Sequence, residues 1–169
     1  NDGAPPDADP WICVANGTPF FIAGVNWTPI RSNFADVTSA EYVARLTTYR
    51  DLGVNFLRVW GGAFLEKPCF FELCDALGLL VLQELPLSSS GLDNYPPDDV
   101  DSIDALCEIA RSYISRRGHH VSLCMWSGGN ELCKRPDGEG NVPVTMAHPL
   151  MPRLAEVAAE RDPGRRFVM

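Results

Sequence analysis

The stretch that decides the fold is VNFLRVWGGAFLEKPCFFELCDALGLLVLQEL, residues 54–85. VNFLRVW is a short apolar run rich in β-branched and aromatic residues, which predicts a strand. EKPCFFELCDALG follows, with Pro68 near its start and Gly78 at its end, the punctuation of a helix. LLVLQEL is a second apolar run, too short for a helix. Two buried strands joined by a helix form a crossover unit, and crossover units build parallel sheets.

The same rhythm extends in both directions. On the N-terminal side, WICVANGTPFFIAGVNW holds two extended runs around Asn16-Gly17, a favoured hairpin turn. Its second run is continuously apolar from Phe20 to Val25, which predicts a strand covered on both faces. TSAEYVARLTTYRDLG predicts a helix, with Thr38 and Glu41 placed for a capping box and Gly53 as its stop. On the C-terminal side, the polar loop 88–99 leads into the helix DVDSIDALCEIARSYISRRG, with acids early and arginines late. The strand VSLCMW, the loop 134–145, the helix PLMPRLAEVAAERD and the strand RRFVM complete the chain. Five parallel strands are expected, starting near residues 20, 54, 79, 121 and 166.

Such an α/β alternation closes either as an open doubly wound sheet or as a (β/α)8 TIM barrel. No glycine-rich phosphate loop follows the first strand, and neither a GxGxxG turn nor a GxSxG elbow is present, which disfavours the open sheet. Instead, polar and aromatic residues collect at each strand exit: Asn26-Trp27, Arg58 with Trp60, Gln83-Glu84, and Asn130-Glu131 after Trp126. In a barrel these clusters converge on one mouth, where such enzymes hold their sites. The expectation is a partial barrel of about five strands with a short N-terminal hairpin. The whole of 1–169 reads as the N-terminal portion of a barrel domain from a larger protein, because the last residues fall within a strand.

Composition narrows the partners. A formal net charge of −8 argues against nucleic acid and anionic membrane surfaces. No apolar run approaches the length of a membrane span. Six cysteines show neither CxxC nor zinc spacing, so free thiols are expected, buried at Cys107 and Cys124, and no metal. His119 and His120 precede a strand, at the end opposite the mouth, and are read as structural.

FFIAGVNWTP, LGVNFLRVWGG, FFELCDALGLLVLQE and HHVSLCMWSGGNE, in this order, resemble glycoside hydrolase family 2, and within it the β-mannosidases. The resemblance implies a retaining exo-β-glycosidase acting on terminal β-linked sugars, without a cofactor and with carbohydrate as its partner. It assigns Glu131 as general acid/base and Asn130 as the amide on the sugar 2-hydroxyl. Arg58 becomes the arginine near the nucleophile, and Trp60 and Trp126 walls of the sugar subsite. Asn26 and Trp27 join the substrate-binding set, with Glu84 as a supporting carboxylate. The chemistry agrees: retaining hydrolysis needs one carboxylic acid on the leaving oxygen and a second carboxylate at the anomeric carbon.

Two departures shape the expectation. Arg31 stands where the mannosidase-like subgroup usually carries an Asp, which leaves β-galactosides, β-glucuronides and β-glucosaminides open beside β-mannosides. The family's nucleophile is a Glu on a later strand, beyond residue 169, so the isolated piece is expected to be inactive and to self-associate through its open edges. A barrel that binds carbohydrate without cleaving it is the alternative.

Overall fold

The computed structural model describes residues 12–88, 95–134 and 142–169. Its centre is one sheet of five strands, all parallel: β3 (Gly24–Trp27), β4 (Phe56–Val59), β5 (Leu80–Glu84), β6 (Leu123–Ser127) and β9 (Arg166–Val168), neighbours in that order. Helices α1 (Ser39–Asp51), α2 (Pro68–Leu77), α3 (Val100–Arg117) and α4 (Leu150–Arg161) make the crossovers. Sequence-consecutive parallel neighbours with helical crossovers are the first part of a TIM barrel. An antiparallel hairpin of β1 (Cys13–Ala15) and β2 (Thr18–Phe20) precedes them, turning on Asn16 and Gly17 with φ of 51° and 78°. A two-strand ribbon of β7 (Cys133–Lys134) and β8 (Val142–Pro143) is inserted after β6.

Helix boundaries follow local chemistry. Thr38 accepts from the Glu41 N–H, and the Glu41 carboxylate accepts from the Thr38 N–H at 2.9 Å, closing the expected capping box on α1. Asp99 caps α3 through the Ser102 N–H at 2.9 Å. Gly78 ends α2 at φ 70°, a left-handed turn that would strain any residue with a Cβ.

The first strand is shorter than its apolar run suggests. Phe20 closes the hairpin, Phe21 is 87% exposed, and β3 begins only at Gly24. Asn55 explains the break. Its side chain donates to the Phe21 carbonyl at 2.8 Å and accepts from the Ala23 N–H at 3.0 Å. The backbone between hairpin and strand is thus satisfied by an amide side chain rather than by a ladder. The other strands start at 56, 80, 123 and 166, within two residues of expectation.

The two faces of the sheet differ. Trp27, Leu57, Val59, Val81, Leu123 and Trp126 join the helices in one apolar core. The opposite face, the barrel interior, carries Asn26, Phe56, Arg58, Leu82, Glu84 and Met125. A bulge in β6 adjusts the phase between them: Val81 pairs with Leu123 but Leu82 with Met125, so Cys124 is the extra residue. Below Met125 the hairpin approaches the interior, and Ile12, Val14, Phe20, Phe56, Leu80 and Met125 help line a cavity of about 380 Å³. No cysteine is paired; Cys107 is buried as expected, whereas Cys124 is only partly so.

Candidate active site

Arg58 is the hub of the mouth. Its Nε and Nη2 both donate to Glu84 Oε1, at 2.8 and 2.6 Å. Nη1 donates to Asn26 Oδ1 at 3.1 Å, and Nη2 also reaches Asn130 Oδ1. Three residues from the exits of three other strands therefore meet on this one guanidinium. Only arginine offers donors in a planar fork that can serve three acceptors at once. Glu84 is 4% exposed, and its second oxygen accepts from the Gly61 N–H at 2.7 Å. With both oxygens engaged, it is a carboxylate that holds the arginine rather than one facing a ligand.

Asn130 and Glu131 follow Ser127-Gly128-Gly129 at the end of β6. Asn130 is 9% exposed, and its carbonyl oxygen faces Arg58, a group that can only donate. The amide nitrogen is consequently turned away from Arg58, toward Ser88 Oγ at 3.2 Å. Glu131 is exposed and has φ of 52°. A left-handed conformation in a residue with a long side chain is uncommon, and such strain concentrates at functional sites. No helix begins at Glu131, so it does not serve a helix dipole.

The aromatic residues divide. Trp60 sits half-buried directly beyond β4, its N–H bonded to the Trp27 carbonyl at 3.1 Å. Its indole lies against Gly62, where a Cβ would overlap the ring. It remains a candidate subsite wall. Trp27 and Trp126 do not. Trp126 is fully buried among the helices and donates from Nε1 to Asp162 Oδ2 at 2.9 Å. Trp27 packs against Tyr42, Tyr49 and Phe70 and donates to Glu66 Oε1 at 2.9 Å. The strand's two-residue period is the reason: Asn26 faces the interior, so its neighbour Trp27 must face the helices. Trp126 pairs with Gln83 in the same outward row.

Sequence reasoning passed over Glu66. It is buried, accepts from Trp27 and from the Tyr42 hydroxyl at 2.6 Å, and receives Arg117 on its backbone carbonyl. Burial first, and the Glu66 hydrogen bond second, push the Tyr42 phenol far above its usual range. Nothing in the local pattern around residue 66 marks a buried acid. Arg31 lies on the periphery, paired with Glu41 of the capping box. His120 pairs with Asp75 through Nδ1 at 2.7 Å and stacks on Phe71, a structural role at the base of the sheet as expected. Among the described residues no group of His, Cys, Asp and Glu could hold a metal ion, and no helix is long and apolar enough to cross a membrane.

Comparison with known proteins decides the family. Residues 10–155 match the model of the glycosyl hydrolases family 2, TIM barrel domain. The chain belongs to glycosyl hydrolase family 2. The β-mannosidase of Bos taurus is 38% identical over 116 residues, which are 69% of this chain and 13% of that protein. The β-D-mannosidase of Dictyoglomus thermophilum superposes with a TM-score of 0.74 at 28% identity, over 90% of this chain and 19% of its own. A Parabacteroides merdae β-glucuronidase shares the fold, with a TM-score of 0.73 at 22% identity over 90% of this chain and 18% of its own. The family 2 chain is thus β-mannosidase-like, a partial TIM barrel that spans a small fraction of the length of its relatives.

Proposed function

We propose that this chain is the acid/base-bearing part of a retaining exo-β-glycosidase that removes terminal β-mannoside-like sugars. Glu131 is the general acid that protonates the leaving oxygen and then the general base that activates water. Asn130 donates to the sugar 2-hydroxyl, an interaction that strengthens as the ring approaches an oxocarbenium ion. Trp60 stacks on the sugar. Arg58, with Asn26 and Glu84, holds this set in place. The observation that carries the reading is the turn of Asn130: Arg58 fixes its oxygen and Ser88 accepts from its amide nitrogen, which leaves the second N–H to offer to a ligand. The β-mannosidase relatives support the sugar class. The pairing of Arg31, which lies between β3 and α1, with Glu41 of α1 supports it too, since a guanidinium engaged with Glu41 does not reject a neutral sugar.

Double displacement needs two carboxyl groups ~5–5.5 Å apart. Among the described strand exits the other carboxylate is Glu84, and Arg58 and Gly61 occupy it. The nucleophile therefore comes from outside this chain's strands, and residues 1–169 alone are inactive. Strands β3 and β9 are sheet edges, and edges pair with other chains. Light scattering on the isolated chain should report a dimer or larger; an active monomer that loses activity in Glu84→Ala would overturn this assignment.

The direct test is a panel of nitrophenyl β-glycosides on the full-length protein. The β-mannoside is expected to be the best substrate. Glu131→Gln should lower the rate roughly 10²–10⁴-fold on substrates with poor leaving groups and least on those with good ones. Binding of β-mannosides without cleavage of any would instead establish a non-catalytic barrel.

A further inference from the structure

Residues 85–88, which continue from β5, run between two glycines. A Cβ at Gly61 would stand 2.5 Å from the Leu85 carbonyl oxygen and 3.2 Å from that of Leu87. A Cβ at Gly129 would stand 2.7 Å from the Leu87 oxygen and 2.8 Å from the Leu87 Cβ. Both distances at Gly129 are shorter than any real side chain tolerates, so the close approach depends on glycine there. The approach has a result. The Asn130 N–H donates to the Leu87 carbonyl at 2.8 Å, and Ser88 forms a single parallel bridge with Asn130. This sets Ser88 Oγ 3.2 Å from Asn130 Nδ2.

An amide nitrogen carries two hydrogens. Arg58 holds the oxygen of Asn130, which leaves rotation of the amide plane as the remaining freedom. Ser88 removes it by accepting one N–H, and the second N–H then has one fixed direction. Building on the role of Asn130 given above, we infer that Ser88 is a positioning residue for the reaction: it aims the Asn130 amide at the sugar 2-hydroxyl. It touches neither the acid nor the bond being cleaved. Gly129 is its accessory, because the Leu87 backbone reaches Asn130 only where residue 129 has no side chain.

The test uses the full-length protein and two substrates, a nitrophenyl β-mannoside and its 2-deoxy analogue, which lacks the group Asn130 addresses. Ser88→Ala should lower kcat/KM on the first about three- to tenfold, mostly in kcat, and leave the second unchanged. Ser88→Thr, which keeps the hydroxyl, should restore the rate. In an Asn130→Ala background Ser88→Ala should add nothing. A Ser88→Ala variant at full rate, an equal loss on both substrates, or additive losses in the double variant would overturn the role of Ser88 alone. A wild-type protein that cleaves neither substrate would instead overturn the functional reading on which it rests.

Discussion

The two faces of one sheet solve the same problem in opposite ways. Toward the helices, Trp27 and Trp126 bury large rings and each aims one N–H at a carboxylate, Glu66 and Asp162. Toward the interior, Asn26, Glu84 and Asn130 gather on Arg58 and leave part of that guanidinium open. The outward face satisfies isolated polar atoms inside a packed core. The inward face builds a connected network in which removing one member frees the others. Adjacent residues, Asn26 and Trp27, belong to different devices. A position's number along the chain therefore says less about its role than its parity on the strand.

The comparison predicts that inward variants change rate and outward variants change stability. The largest effect is expected for Arg58→Lys. A lysine ammonium cannot reproduce the fork that serves Glu84, Asn26 and Asn130 together, and kcat/KM of the full-length protein should fall roughly a hundredfold. A wild-type rate in that variant would dissolve the network as a functional unit. Trp126→Phe comes next. It keeps an aromatic ring but removes one of the two donors on Asp162 Oδ2, the other being Arg165 Nη1 at 2.7 Å, and leaves a gap in the core, costing about 1–3 kcal/mol in denaturant unfolding with kcat unchanged. A change in KM for β-mannosides would return Trp126 to the sugar site.

Two smaller variants sharpen the contrast at positions away from the mouth. Burial acts to raise the Asp75 pKa, but hydrogen bonds from Ser122 and His120 outweigh it, and the group lies below its ordinary 3.8. A depressed carboxylate stabilises the fold above the unfolded pKa and loses that contribution as pH falls through its folded value. Asp75→Asn should therefore cost on the order of 1–2 kcal/mol at pH 7. The gap to wild type should narrow below pH 4, and a gap that widened in acid would contradict the sign. Arg31→Ala should change least, within about 0.5 kcal/mol, since its pairing with Glu41 is exposed, and it should leave sugar preference unaltered. A shifted preference would place Arg31 at the subsite.

The parallel order, the capping box on α1 and the convergence of Asn26, Arg58, Glu84 and Asn130 were all legible in the sequence. Each rests on a local signal: an apolar run, a cap, or a polar residue after a strand. What escaped depends on distant partners. The apolar run Phe20–Val25 gave no hint that Asn55, thirty residues on, would interrupt it. Trp126 as a subsite wall and Trp27 as a substrate contact both follow from their places at strand exits, which say nothing of the side each residue faces. Ser88 read as one of three serines in a polar loop; its relation to Asn130 exists only through the clearance left by Gly129.

The bulge at Cys124 has a bearing on how lengths can vary in this chain. From Val81 to Glu84 there are three steps; from Leu123 to Ser127 there are four, covering the same rise of sheet. The added residue acts as a spacer. Taking Cys124 away would leave three steps opposite three, with Leu123, Met125 and Trp126 still facing Val81, Leu82 and Gln83, so the kink would go and the register would stay. The loops between strand and helix are equally free, because their length is decoupled from the ladder. A one-residue gap inside β4 or β5 ahead of Arg58 or Glu84 has no spare residue to absorb it, and would turn the side chains beyond it to the opposite face.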